Sequence, residues 1–210
     1  MSLICDCPAT AAITAFAADS CLERFGQIQR FGVQRTKSAG VLNEIVIATD
    51  DPEELATWTA LKAAVDSTKV QFSTFIQEPA APAGEAREYG GGNATIGGTP
   101  ILLGSNPTPF SAAFLDVKQS VILSMKGLMC EKELSVFLVT ENGRIIGLTD
   151  NHTTPTTFRG IPIKSFYLSD KQMGMFEEPD KNFVRWSFVP GWSDYLYAVS
   201  PSDFEALTEL

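Results

Sequence analysis

His152 is the one imidazole in the 210-residue chain, so any Ser-His-Asp or Cys-His device for nucleophilic catalysis would have to be built around it. It sits in Asp150-Asn151-His152-Thr153-Thr154-Pro155, a polar stretch that reads as an exposed loop. Neither a Gly-x-Ser-x-Gly elbow nor a His-Glu-x-x-His zinc motif accompanies it. Gly92 and Gly97 have the four-residue gap of a phosphate-cradling loop. Gly98-Thr99 stands where such a loop needs Lys and then Ser or Thr, so nothing would balance phosphate charge, and no helix start follows. A flexible loop is expected instead. Glu177, Glu178 and Asp180 could pair for acid–base work or hold calcium, but in a linker between two strands they read as a solvated turn. Cys5 and Cys7 are too close for a zinc knuckle, which takes Cys-x2–4-Cys pairs. Reduced thiols are expected, or a late bridge from Cys5 or Cys7 to Cys21, while Cys130 should pack as a small hydrophobe on a helix. Asn93 and Asn151 begin glycosylation sequons, which mean nothing without a secretory leader. These residue types predict no catalytic residue, no cofactor and no metal.

Composition sets the frame around them. A chain of this length is expected to form a single structural domain over residues 1–210, with an N-terminal arm at 1–24 and a long loop at 78–110. With 44% hydrophobic and 20% charged residues it has material for a sizeable core. The net charge of −9 is spread evenly, 7 basic against 12 acidic over residues 1–105 and 9 against 13 over 106–210. A specific grip on nucleic acid needs clustered Lys and Arg, and an anionic membrane would repel this surface, so neither is expected as a binding partner. Met1-Ser2-Leu3-Ile4 runs into Cys5-Asp6-Cys7-Pro8 with no leader pattern, and the apolar run Ser120–Lys126 falls far short of a membrane span, which predicts a soluble protein made in the cytosol.

The elements that must position these residues follow from periodicity. Residues 27–35 alternate and predict a strand, and Val41 to Thr49 reads as another. Asp51 before Pro52 predicts a helix cap, from which Leu55, Trp58, Leu61 and Val65 would form one stripe on a helix of about four turns. Val70, Phe72 and Ile76 alternate with Gln71, Ser73 and Gln77 as a half-buried strand. Residues 78–110 hold 7 of the 16 glycines and 5 of the 12 prolines, too long for an ordinary connection, hence a functional loop or a mobile arm in which Ile101-Leu102-Leu103 could pair or stick to a neighbour. Val121, Met125, Leu128 and Met129 predict a second helix with Lys118, Lys126 and Lys132 off its apolar face. Asn142-Gly143 between Leu134–Thr140 and Arg144–Thr149 predicts a hairpin with a type I′ turn. Three more strands are expected at 160–169, 183–189 and 195–199. Trp192, on a Pro190-Gly191 turn, should cap the core or anchor an interface. Two helices and about seven strands predict an α+β fold, mainly antiparallel β.

The order of these elements resembles the tail tube (major tail) proteins of long-tailed bacteriophages. Phe25-Gly26-Gln27-Ile28-Gln29-Arg30-Phe31, Gly90-Gly91-Gly92-Asn93, Cys130-Glu131 and Pro190-Gly191-Trp192-Ser193-Asp194 resemble strings in virion proteins of phages or prophages of Bacteroidetes bacteria. The resemblance implies a β-sandwich or barrel-like body with a flanking helix and the long Gly/Pro-rich loop. It implies a homo-oligomer of stacked hexameric rings, in contact with other virion proteins, through which DNA passes non-specifically. An acidic surface suits such a conduit because like charge prevents sticking. The expected location is the virion, after synthesis in the bacterial cytoplasm. Other virion components, such as a connector, a head-completion ring or a capsid decoration protein, share this vocabulary. Two rivals belong to other classes: a β-rich ligand-binding domain using Trp58, Trp186 or Trp192, and a hydrolase using His152 or the carboxylates at 177–180. Deleting residues 80–100 is expected to leave a folded subunit that no longer stacks.

Overall fold

The structure, a computed structural model, describes residues 24–210. Cys5, Cys7, Cys21 and, apart from Arg24, the expected N-terminal arm lie outside the described residues. The chain begins with β1 (Ile28–Arg35), β2 (Lys37–Ser38), β3 (Val41–Leu42) and β4 (Ile45–Val46), then α1 (Leu55–Ala63), β5 (Gln71–Phe72) and β6 (Gln77–Ala80). It continues through β7 (Ala86–Tyr89), β8 (Ile101–Ser105), β9 (Thr108–Leu115) and α2 (Gln119–Lys126). The last segment holds β10 (Leu134–Thr140), β11 (Ile145–Thr149), β12 (Thr157–Arg159), β13 (Ile161–Leu168), β14 (Lys181–Phe188), β15 (Leu196–Val199) and the one-turn α3 (Ala206–Glu209). The architecture is α+β and mainly antiparallel β. Among the described residues no helix is long and apolar enough to cross a membrane.

Eleven strands form one antiparallel sheet, ordered β4-β12-β11-β10-β13-β14-β9-β6, and it forks at β10. The first half of β10 pairs with β13, from Leu134↔Ile163 to Val136↔Ile161. The second half pairs with β11 at Leu138↔Ile146 and Val139↔Ile145, while β1 runs along the whole opposite edge. Two wings therefore diverge from β10 and give the body its sandwich-like form. The larger core lies between them, from Phe31 on β1 through Val136, Leu138 and Ile146 to Phe110, Trp186 and Phe188 on the far wing. A second core covers the outer face of β10 and β11, where Phe137, Val139 and Ile145 meet Trp58 of α1, Phe158 and Phe204. With both faces covered, β10 is buried at every position, which explains the unbroken apolar run Val136–Val139 at its centre. The half-exposed β14 alternates instead, with Val184, Trp186 and Phe188 inward and Arg185 outward.

Aromatic rings organise both cores. Trp186 stacks on Phe110 with centroids 4.1 Å apart and lies nearly parallel to Phe166 at 6.2 Å, while Phe31 presses edge-on at 5.0 Å. Trp58 meets Phe137 edge-on at 5.1 Å and donates its indole N–H to the Pro52 carbonyl at 2.8 Å. The close approach of β11 to β12 demands a residue without a side chain at Gly147, because a Cβ there would lie 2.5 Å from the Arg159 carbonyl and 2.7 Å from the Phe158 ring. Gly147→Ala is expected to destabilise the fold by about 1–3 kcal/mol through overpacking. Urea titration of the variant checks this, and an unchanged midpoint would refute it.

Several elements differ from the sequence expectations for identifiable reasons. Val41–Thr49 is not one strand: β2 and β3 form a small hairpin around Ala39 and Gly40, both at positive φ, and the chain turns after β4. The primed turn thus lies at Ala39-Gly40 and not at Asn142-Gly143. In the β10–β11 hairpin only Gly143 has positive φ, and Thr140 accepts the Gly143 N–H at 3.0 Å, a type I turn followed by a glycine bulge. Asp51 does not cap α1; it accepts the Glu53 N–H at 2.9 Å in an Asx turn, and the helix starts later, where Asp203 accepts the Leu55 N–H at 2.9 Å. The helix has nine residues instead of four turns and stops at Ala63, so Val65 falls beyond it and is fully exposed. Ser73, expected outward, is buried because its hydroxyl accepts the Phe31 N–H at 3.1 Å. In α2 the buried residue is Ile122, while Met129 and Cys130 lie exposed on the 3-10 turn that follows. Cys130 is therefore not a core hydrophobe. The strand β9 had no sequence expectation, because Pro109 and the two alanines suppress the strand signal. It is nonetheless paired along its whole length with β14, and β6 reaches only as far as Ala80↔Ser111, short of Pro109.

Candidate assembly surface

The segment expected as a loose 33-residue loop is mostly structured. After β6 the chain leaves the body as the β7–β8 hairpin, with Ala86↔Ser105 at its base and Tyr89↔Ile101 near its tip, and returns as β9. At the tip the Thr95 hydroxyl accepts the Gly91 N–H at 3.1 Å and donates to the Thr99 carbonyl at 2.7 Å, tying two 3-10 turns together. The expectation of a flexible glycine loop gives way to a shaped tip, since this threonine supplies bonds that the glycines alone lack. β7 and β8 pair only with each other, and none of residues 81–107 is buried. Ile101-Leu102-Leu103 do pair as a strand, yet they stay exposed with Tyr89 and Ile96. An isolated two-stranded hairpin is marginally stable in water. This one has no core of its own and carries five exposed apolar side chains.

A second apolar patch lies on the β13–β14 connection, where Met173, Met175 and Phe176 are more than four-fifths exposed. This loop is braced from within: Asp180 accepts the Gly174 N–H at 3.0 Å and faces the Lys171 ammonium at 3.6 Å. That brace occupies Asp180, and Glu177 and Glu178 are exposed. Among the described residues no three His, Cys, Asp or Glu side chains converge as metal ligands.

Between β1 and α2 an open groove of about 740 Å³ has an apolar floor of Phe31, Val33, Val121, Met125 and Leu128. Its rim carries the Arg35–Glu131 pair at 2.6 Å and the exposed Lys69, which has no carboxylate within ion-pair distance among the described residues. Residues from three separated segments meet there, so no local pattern in the sequence marks it. The Met173-Gly174-Met175-Phe176 string drew no sequence expectation either, although apolar residues in a linker without a periodic partner are a signal that could have found it.

The remaining sequence candidates take structural positions. His152 is exposed, with its Nε2 2.8 Å from the Asp194 carbonyl and its ring parallel to Tyr195 at 5.7 Å, so it clasps two loops together. Trp192 stacks on Phe188 at 4.2 Å and caps the larger core. With Trp58 and Trp186 inside the two cores, none of the three tryptophans lines the groove. Arg30 donates to the Ser73 carbonyl at 2.8 Å and the Leu207 carbonyl at 2.7 Å, pinning the C-terminal segment against β1, and burial lowers its pKa.

Three exposed carboxylates have pKa values depressed by hydrogen bonds: Asp150 by the Thr156 hydroxyl and the Thr156 and Thr157 N–H groups, Asp66 by Thr68, and Asp170 by Lys126. A depressed carboxyl pKa adds stability above its unfolded value, near pH 4, and loses it as pH falls through the folded value. Stability is expected to hold from pH 7 to about 5 and to decline below about 4. Thermal melts across that range check it. Asp150→Asn should flatten part of the acid limb, and an acid limb identical to that of the intact protein would refute the assignment.

Fold and surface together define an α+β, mainly antiparallel β protein whose forked sheet carries a projecting arm without a core. No protein-family model matches the sequence, and no curated protein matches it. A search of solved structures finds a chain described as the tail of an empty GTA particle computed with helical refinement and C6 symmetry. That chain is 10% identical, superposes with a TM-score of 0.34, and the match covers 64% of this chain and 87% of its own. At this level of superposition the likeness assigns neither a family nor a function.

Proposed function

We propose that the chain is a non-enzymatic structural subunit of a phage-like virion, placed in the tail tube, where copies assemble into stacked hexameric rings around a conduit for DNA. The observation that carries this reading is the β7–β8 arm. A hairpin with no buried residue and five exposed apolar side chains is explicable if a neighbouring molecule completes it. The virion-like strings support the reading by their positions. Phe25–Phe31 runs into the first half of β1, Gly90–Asn93 lies at the arm tip, and Glu131 of Cys130-Glu131 lines the groove. The net charge of −9 suits a wall along which DNA slides.

A hydrolytic rival would have to use His152. His152→Ala is expected to leave assembly intact and to cost at most about 1 kcal/mol, the usual value of one exposed hydrogen bond. Loss of a turnover with assembly retained would overturn the non-enzymatic reading. The assembly itself is tested by negative-stain electron microscopy over a concentration series, with light-scattering mass on the same samples. Rings or hollow tubes of uniform width are expected. A monomer at every concentration would overturn the reading, because ring contacts form by mass action.

A further inference from the structure

We propose that the groove between β1 and α2 is the socket for the β7–β8 arm of a second copy of this chain. The inference rests on the assembly reading and gives it a contact at the level of residues. The arm lacks cover within its own subunit, and the groove is an apolar concavity of about 740 Å³ with no side chain filling it. Tyr89 and Ile101 face each other across the hairpin, Leu102 lies opposite Glu88, and Leu103 is the extra residue of a bulge between the Arg87 and Glu88 pairs. Tyr89 and Ile101 thus share one face of the hairpin, opposite to Leu102, and that apolar face matches the accessible groove residues Val121, Met125 and Leu128.

The backbone points the same way, while unpaired charge of both signs lies on each side: Lys69 and Asp66 at the rim, and Glu85, Arg87 and Glu88 on the arm, are in no ion pair among the described residues. β5 lines the groove through Gln71 and Phe72 and is paired on one edge only, to β1. β8 is likewise paired on one edge only, to β7, so each presents backbone that a neighbouring strand can extend. The Met173–Phe176 loop is the lesser candidate for the socket, because its own brace holds it in shape without a partner. Arm and socket are different patches of one surface, so the contact is heterologous. Every copy gives an arm and receives one, which closes as a ring or continues as a helical stack.

Complementation of two defective variants tests the proposal. Ile101→Asp with Leu102→Asp spoils the arm, and Met125→Glu spoils the socket, with circular dichroism confirming that both fold. Should Met125→Glu unfold, Ser124→Trp, exposed on the same wall, blocks the socket by bulk. Each variant alone should need at least about a hundredfold higher concentration to associate. Mixed one to one, they should form a species of twice the subunit mass that grows no further, because one intact arm meets one intact socket. A socket variant that assembles as the intact protein does, or a folded mixture that stays monomeric, would overturn the arm-in-socket contact. If the intact protein forms rings but the socket variant does too, the contact fails and the tube reading stands. If arm-dependent chains form without a hollow ring, the contact stands and the tube reading fails. An intact protein that never associates removes both.

Discussion

Excising Ala86–Ser105 and joining Glu85 to Asn106 through two glycines is expected to give a subunit that melts within a few degrees of the intact protein and no longer assembles. The base of the arm permits the closure, since the Asn106 N–H already donates to the Glu85 carbonyl at 2.8 Å. The small effect on melting follows because nothing in the excised segment is buried. The large effect on assembly follows from what a partner would cover. Burying even two of Tyr89, Ile101, Leu102 and Leu103 is worth about 3–6 kcal/mol, or roughly two to four decades in association constant. These boundaries replace a deletion of 80–100, which would leave β8 without β7 and an exposed apolar strand behind. Light scattering and thermal melts on the excised protein decide the matter. Rings as abundant as those of the intact protein would remove the arm from assembly, and a collapse in melting temperature would show that the arm supports the body.

Trp186→Ala is expected to be the most damaging single substitution in the core. The indole is 2% exposed and lies between Phe110 and Phe166, with Phe31 and Phe188 against its edges. Removing it opens a cavity whose aromatic walls belong to β1, β9, β13 and β14 and cannot all collapse inward, so a loss of about 3–5 kcal/mol is expected. In a chain of this size that lowers the melting temperature by roughly 10 °C. Trp186→Phe should be much milder. The indole N–H is buried without a hydrogen-bond partner, so its removal relieves a desolvation cost while keeping most of the stacking. Both are best measured in the subunit without its arm, where association cannot mask the change. Equal losses for Ala and Phe would mean that the N–H has a partner and that the stacking is not what holds the far wing.

The groove explains why the site was harder to see than the fold. Val33 and Arg35 come from β1, Lys69 and Gln71 from the segment after α1, and Met125 and Leu128 from α2 and the turn beyond it. Each has an ordinary local role in the sequence, and only the packing of α2 against β13, across the groove from β1, brings them to one concavity. The arm was partly legible: the glycine and proline density marked residues 78–110 as exceptional, and Ile101-Leu102-Leu103 as able to pair. Its shape was not, because Thr95 holds the tip through bonds to Gly91 and Thr99 that no spacing rule anticipates.

The sequence by itself determined the elements whose signals are local. Alternation over residues 27–35 and 183–189, and the run on either side of Asn142-Gly143, specify strands and a hairpin because side-chain period and turn residues act over a few neighbours. Only the tertiary structure decided where α1 begins, since its first N–H is met by Asp203 from the far end of the chain. It likewise decided that β9 is a strand despite Pro109, because eight cross-strand partners on β14 outweigh a weak local preference. Contacts between distant residues depend on the path of the whole backbone, and that path is set by burying both faces of β10 at once, which no short window of sequence contains.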